Sequence, residues 1–224
     1  MAMPQRPFDV EDFFLNGERR LPCVILADRS GSMDGPKLDA LNQGLQVYAE
    51  AISADQLALK RVETALVSFG PVQVERDFAT LDKLTMPHLD CGGVTPMGEA
   101  VNKALDLLEA RQQQYKANGI GSYNSWLWLI TDGLPTDEWT AAAARLRSLD
   151  AQKKVMAFTI GVDDADTDCL KEFSTKPPMM LKETRFVELF EFISKLMTQV
   201  SNSRPGDRIP IPNQNVENFA EVCA

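Results

Sequence analysis

Five side chains of this 224-residue chain could do chemistry together: Asp28, Ser30 and Ser32 in ADRSGSM, Thr95 in CGGVTPMG, and Asp132 in LITDGLP. All five offer oxygen, as two carboxylates and three hydroxyls, and no His or Cys joins them. Hard oxygen donors select Mg²⁺, Mn²⁺ or Ca²⁺, whereas zinc wants imidazole or thiolate. Each piece also has a simpler reading. DRSGS can be a strand-to-helix turn in which Asp28 or Ser32 caps a helix and the glycines take unusual backbone angles. Thr95 before Pro96 has the form of an N-cap with a first-turn proline. Asp132 before Gly133 has the form of a plain turn, and Asp137 is expected to cap the helix that follows it. Capping and ligation compete only in part, because a hydroxyl can donate to a carboxylate while a lone pair faces a metal. The deciding question is whether the fold brings the three loops together.

The elements around them answer it. Cys23–Ala27 is a short continuous apolar run, as expected of a strand buried on both faces. Leu38, Leu41, Leu45, Tyr48 and Ile52 recur at helical spacing behind Pro36, which suits a first turn. Val62–Phe69 and Val72–Phe78, separated by Gly70-Pro71, predict an antiparallel hairpin whose second strand is an edge. A helix through Met97, Val101, Leu105 and Leu108 precedes a buried strand, Trp126–Thr131, whose two Trp residues read as core. A helix over about Trp139–Lys153, a strand over Val155–Val162 and helices near Asp166–Ser174 and Phe186–Ser201 complete the pattern, with MMLKE as a short strand between the last two. This order predicts an α/β, Rossmann-like fold: a mostly parallel central sheet, one antiparallel edge strand and helices on both faces. In such a sheet ligands bind beyond the carboxyl ends of the strands, where the strand order reverses. Asp28 and Asp132 each follow a predicted strand at that edge.

Composition narrows the function. A net charge of −9 argues against binding a nucleic-acid backbone. The opening MAMPQRPFDVEDFFLNGERR has no secretory pattern, and WLWLI is too short to span a bilayer, so neither membrane nor export is expected. The four Cys are scattered and read as free thiols, which makes the cytoplasm the expected compartment. Phe13-Phe14-Leu15 is read as a staple of the N-terminal segment onto the domain. GGVTPMG lacks the Lys of a phosphate loop and is read as backbone freedom around Thr95. A serine hydrolase would need a nucleophile elbow and a His base; neither Ser30 nor Ser32 has that context, and His88, the one His, sits in a loop. Catalysis is therefore not expected.

DRSGS, GGVTPMG and LITDGLPTD, in that order and with strands ahead of the first and last, resemble the metal-ion-dependent adhesion site of von Willebrand factor A domains. The likeness spans roughly residues 20–200, with 1–19 as an N-terminal segment, 20–203 as the domain and 204–224 as a Pro- and Asn-rich tail, either an extended strap or a loose terminus. The resemblance implies that Asp28, Ser30 and Ser32 ligate a divalent cation, most simply Mg²⁺, with Thr95 direct or through water and Asp132 mostly through water. A partner protein's Asp or Glu would complete the ion. Arg29, where a small residue is common, is expected to lie on the surface or point at that partner. PKLDALNQGLQVYAEAI, LDCGGVTPMGEA and TDGLPTDEW further resemble TerY-type proteins of bacterial tellurium-resistance and stress operons, which implies a protein kinase and a PP2C-type phosphatase as partners. Two other functions stay open: an adaptor subunit for an AAA-type ATPase or metal chelatase, and a hydrolase using metal-bound water.

Overall fold

The computed structural model describes residues 16–80, 86–204, 207 and 220–222. Seven strands make one sheet: β1 (Leu21–Asp28), β2 (Val62–Phe69), β3 (Gln73–Thr80), β4 (Ser125–Thr131), β5 (Val155–Val162), β6 (Met179–Leu181) and β7 (Ala220–Val222). They lie in the order β3-β2-β1-β4-β5-β6-β7. β2, β1, β4, β5 and β6 run parallel, and β3 pairs antiparallel with β2 as the hairpin predicts. From β1 the chain crosses to β2 on one side and returns to β4 on the other. The strand order therefore reverses between β1 and β4, which opens a crevice at their carboxyl ends.

The helices are α1 (Pro36–Ala54), α2 (Ala58–Arg61), α3 (Met97–Ala117), α4 (Thr140–Ala151), α5 (Thr167–Lys171) and α6 (Phe186–Asn202). The two-residue alternation of β1 splits the core. Leu21, Cys23, Ile25 and Ala27 face the layer built with α1 and α6, while Val24 and Leu26 face the layer built with α3, α4 and α5. Phe186, Leu189, Phe190, Ile193, Leu196 and Met197 are buried along α6 as its periodicity requires. Burying each such side chain contributes about 1.5–3 kcal/mol. Trp126 and Trp128 are core, as expected: the Trp128 ring stacks on Phe158 with centroids 4.2 Å apart.

Three features go beyond the sequence reading. Asp55 accepts from the amides of Leu57 and Ala58 at 3.0 and 2.7 Å and so starts the short α2. Gly31–Met33 forms a 3₁₀ turn inside the DRSGS segment. Ala220–Val222, in the tail, pairs antiparallel with β6 and adds the seventh strand, with Ala220 buried. The Phe13-Phe14-Leu15 patch lies outside the described residues.

Candidate metal centre

β1 ends on Asp28, whose side chain is fully buried. Its Oδ1 accepts from the Ser30 amide at 2.8 Å, and its Oδ2 accepts from the Thr131 hydroxyl at 2.5 Å. The second bond fastens the end of β1 to the end of β4 across the crevice. Ser30 begins the 3₁₀ turn, and its Oγ lies 3.1 Å from Ser32 Oγ. Ser32 in turn donates to Asp132 Oδ1 at 2.6 Å. A Cβ built on Gly133 would lie 3.5 Å from Thr95 Oγ1 and 3.8 Å from Ser32 Oγ, so the third loop meets the first two there. All five residues singled out in the sequence are thus brought to one place.

The donor set fits a divalent cation. Neighbouring ligands on an octahedral Mg²⁺ stand about 3 Å apart, close to the spacing of the Ser30 and Ser32 hydroxyls. Among the described residues no group of three or more His, Cys, Asp or Glu is arranged to hold a metal. A cation here must therefore rest on hydroxyls as much as on charge.

Backbone contacts hold the loops in register. The Gly92 amide donates to the Arg29 carbonyl at 2.9 Å, and the Gly31 amide to the Gly93 carbonyl at 3.2 Å. The hairpin turn closes on them from behind. Gly70 has φ +104°, and a Cβ there would stand 2.6 Å from the Gly92 carbonyl oxygen and 2.9 Å from the Ser30 nitrogen. Only glycine permits both that backbone angle and that approach. GGVTPMG, read as flexible, is therefore latched.

Three side chains behave differently from expectation. Thr95 does not cap α3: Pro96 holds the N-cap position without a side-chain bond, and the Thr95 carbonyl accepts from Met97 and Thr136 instead. Asp137 caps the helix before it rather than the one after it, because its carboxylate accepts from the Gly98 and Glu99 amides at 3.0 and 2.8 Å. Glu138 serves α4, accepting from the Thr140 amide at 3.0 Å. Arg29 neither lies free on the surface nor points outward. Its guanidinium donates to Ser68 Oγ at 3.0 Å and to the Asp90 carbonyl at 2.8 Å, and sits 3.7 Å from Glu75.

Sequence reasoning missed Lys37. Its ammonium contacts Asp132 Oδ2 and lies 3.2 Å from Asp163 Oδ2. Burial pulls the Lys37 pKa down, but the bonds and charges of the two carboxylates outweigh it and the net shift is upward. A signal was present: a cation in the first turn of a helix opposes the helix dipole unless an anion compensates, and Lys37 follows Pro36 directly. Burial raises the Asp28 pKa, bonds from Ser30 and Thr131 work against that rise, and the Asp132 charge adds to it.

A family model for the von Willebrand factor type A domain matches residues 23–203. No curated protein matches the sequence. Among solved structures, the vWF domain of the type V pili tip protein Mfa5 from Porphyromonas gingivalis is similar with a TM-score of 0.61 at 12% identity, over 85% of this chain and 99% of that one. Proximal thread matrix protein 1 from the mussel byssus is similar with a TM-score of 0.53 at 14% identity, over 83% of this chain and 46% of that one, so this chain spans about half its length. The SpRpn10 VWA domain gives a TM-score of 0.51 at 14% identity, over 69% of this chain and 80% of that one. At these identities the likeness is one of fold. The family match covers most of the chain and includes all five donor residues, and the chain belongs to the von Willebrand factor type A domain family.

Proposed function

We propose that the chain is a metal-dependent protein–protein interaction module. One observation carries this: three loops at the strand-order reversal converge five oxygen side chains of which only two are carboxylates. Bound there, Mg²⁺, or Mn²⁺ or Ca²⁺ in its place, supplies Lewis acidity and an open position for an oxygen from outside. Asp28, Ser30 and Ser32 hold the ion, Thr95 directly or through water. Asp132, engaged by Ser32 and Lys37, acts through water. A partner's Asp or Glu fills the open position as a charge-assisted contact. The chain then works by binding rather than by turnover. The resemblance of its helix-1, LDCGGVTPMGEA and TDGLPTDEW segments to TerY-type proteins supports a cytoplasmic setting beside a kinase and a PP2C-type phosphatase in a tellurium-resistance or stress system.

Titration calorimetry with Mg²⁺ and Mn²⁺ tests the reading. Wild type should bind, Asp28→Ala should lose binding, and Ser32→Ala, at an exposed position, should bind at least about tenfold more weakly with an unchanged circular dichroism spectrum. Unchanged metal binding in both variants would overturn it. A pull-down in Mg²⁺ against chelator then identifies the partner.

A further inference from the structure

Val94 and Leu134 are large apolar side chains left exposed among the described residues, at 64% and 58%. Single exposed apolar residues are ordinary. These two stand together on the metal edge. Val94 immediately precedes Thr95, and Leu134 follows Asp132 by two residues. Their loops are joined, since the Thr136 amide donates to the Thr95 carbonyl at 2.9 Å and Gly133 faces Thr95 Oγ1. The donor cluster thus has an apolar margin on both loops.

The surrounding loops are acidic. Asp34, Asp90, Glu138 and Asp164 are all exposed there. The two basic side chains that reach the donor loops are already committed: Arg29 is turned onto Ser68, Glu75 and the Asp90 carbonyl, and Lys37 lies between Asp132 and Asp163. A carboxylate approaching this face meets like charge until a divalent cation is present, and even then its acidic neighbours are repelled.

The geometry points to a partner segment in which one Asp or Glu is flanked by apolar and basic side chains. The carboxylate completes the ion, the apolar groups cover Val94 and Leu134, and the ammonium or guanidinium groups answer Asp34, Asp90, Glu138 and Asp164. This rests on the metal-dependent binding proposed above and adds the chemical class of the partner. It also makes metal the condition for contact, because without an ion the acidic rim repels a carboxylate and the Lys37 ammonium is already held by Asp132 and Asp163.

The probes are four labelled peptides read by fluorescence anisotropy in Mg²⁺: one with a single Asp between two Leu and flanked by Lys, one with Glu at every Lys, and each of these with Asn for Asp. The quantity read is the gain of the Asp peptide over the Asn peptide, which removes non-specific attraction to an acidic protein. That gain should be about tenfold larger for the Lys-flanked pair than for the Glu-flanked pair, with the gap closing as salt rises. The Val94→Ser/Leu134→Ser double variant should lose several-fold in peptide affinity with its calorimetric metal affinity unchanged. Equal gains for the Lys- and Glu-flanked pairs, no binding of any peptide to the metal-loaded protein, or full binding by the double variant overturns the inference. Failure of wild type to bind metal overturns the underlying function as well, and the calorimetry separates the two.

Discussion

Lys37 holds a position that a helix start disfavours for a cation, and it is kept there by Asp132 and Asp163. Its ammonium supplies positive charge where a divalent ion would act, so the two compete for the field of Asp132. Lys37→Met should therefore raise Mg²⁺ affinity by about tenfold and lower the melting temperature of the metal-free protein, with calorimetry and thermal denaturation as the measurements. Unchanged affinity would show that Lys37 does not act on the ion. The clustering of the five oxygen side chains was legible because Asp, Ser and Thr act within a residue or two of where the backbone sets them. The long side chains were not. Arg29 and Lys37 reach across to other loops, and nothing in their local sequence says which carboxylate or carbonyl lies at the far end.

At the scale of elements, Asp137 and Gly98 join the start of α3 to the segment that carries Asp132. Gly98 lets the backbones meet: a Cβ there would stand 2.3 Å from the Glu138 carbonyl oxygen and 2.8 Å from Trp139 Cα. Helix propensity favours Ala over Gly by about 1 kcal/mol, yet overpacking backbone against backbone costs about 1–3 kcal/mol. Gly98→Ala should accordingly destabilise the domain in a urea titration and also weaken Mg²⁺ binding, because the Asp132 loop must shift. A stabilised variant would mean that the close approach is relieved without cost. The main strands and helices could be read from their apolar runs and periodicity. α2 could not, since four residues leave no period to detect, and its start depends on the Asp55 carboxylate. The capping partner of Asp137 was missed because the amides it serves lie earlier in the chain and are brought near only by folding.

At the scale of the molecule, Asp150 links three parts of the fold. From α4 its buried carboxylate accepts from the Ala157 amide in β5 at 3.2 Å, from Thr175 and Ser174 before β6, and from Lys176 Nζ at 2.5 Å. Burial pushes its pKa up, but the bonds from Lys176, Thr175 and Ala157 outweigh that and bring it below the ordinary carboxylate value. The stabilisation is then complete above the unfolded pKa of about 3.9 and is lost as pH falls through the lowered folded value. Asp150→Asn should lose about 2–4 kcal/mol at neutral pH and show a shallower decline in acid. Equal acid profiles in urea titrations of the two proteins would assign the acid sensitivity to other groups. The parallel winding was legible because alternating buried runs and amphipathic helices admit few topologies. β7 was not, because three residues in a polar tail carry no pattern until β6 offers them an edge.

The direction of the strands has a further consequence. β1 starts at Leu21 on the edge opposite the donor cluster and runs toward it, whereas β7, antiparallel to β6, descends away from that edge toward Val222. The polypeptide therefore enters from the rear and heads rearward again at its last described strand. A tether, a tag or a surface attached through the start of β1 would leave the face with the five oxygen side chains pointing outward, like a connector whose contacts stay clear of its cable.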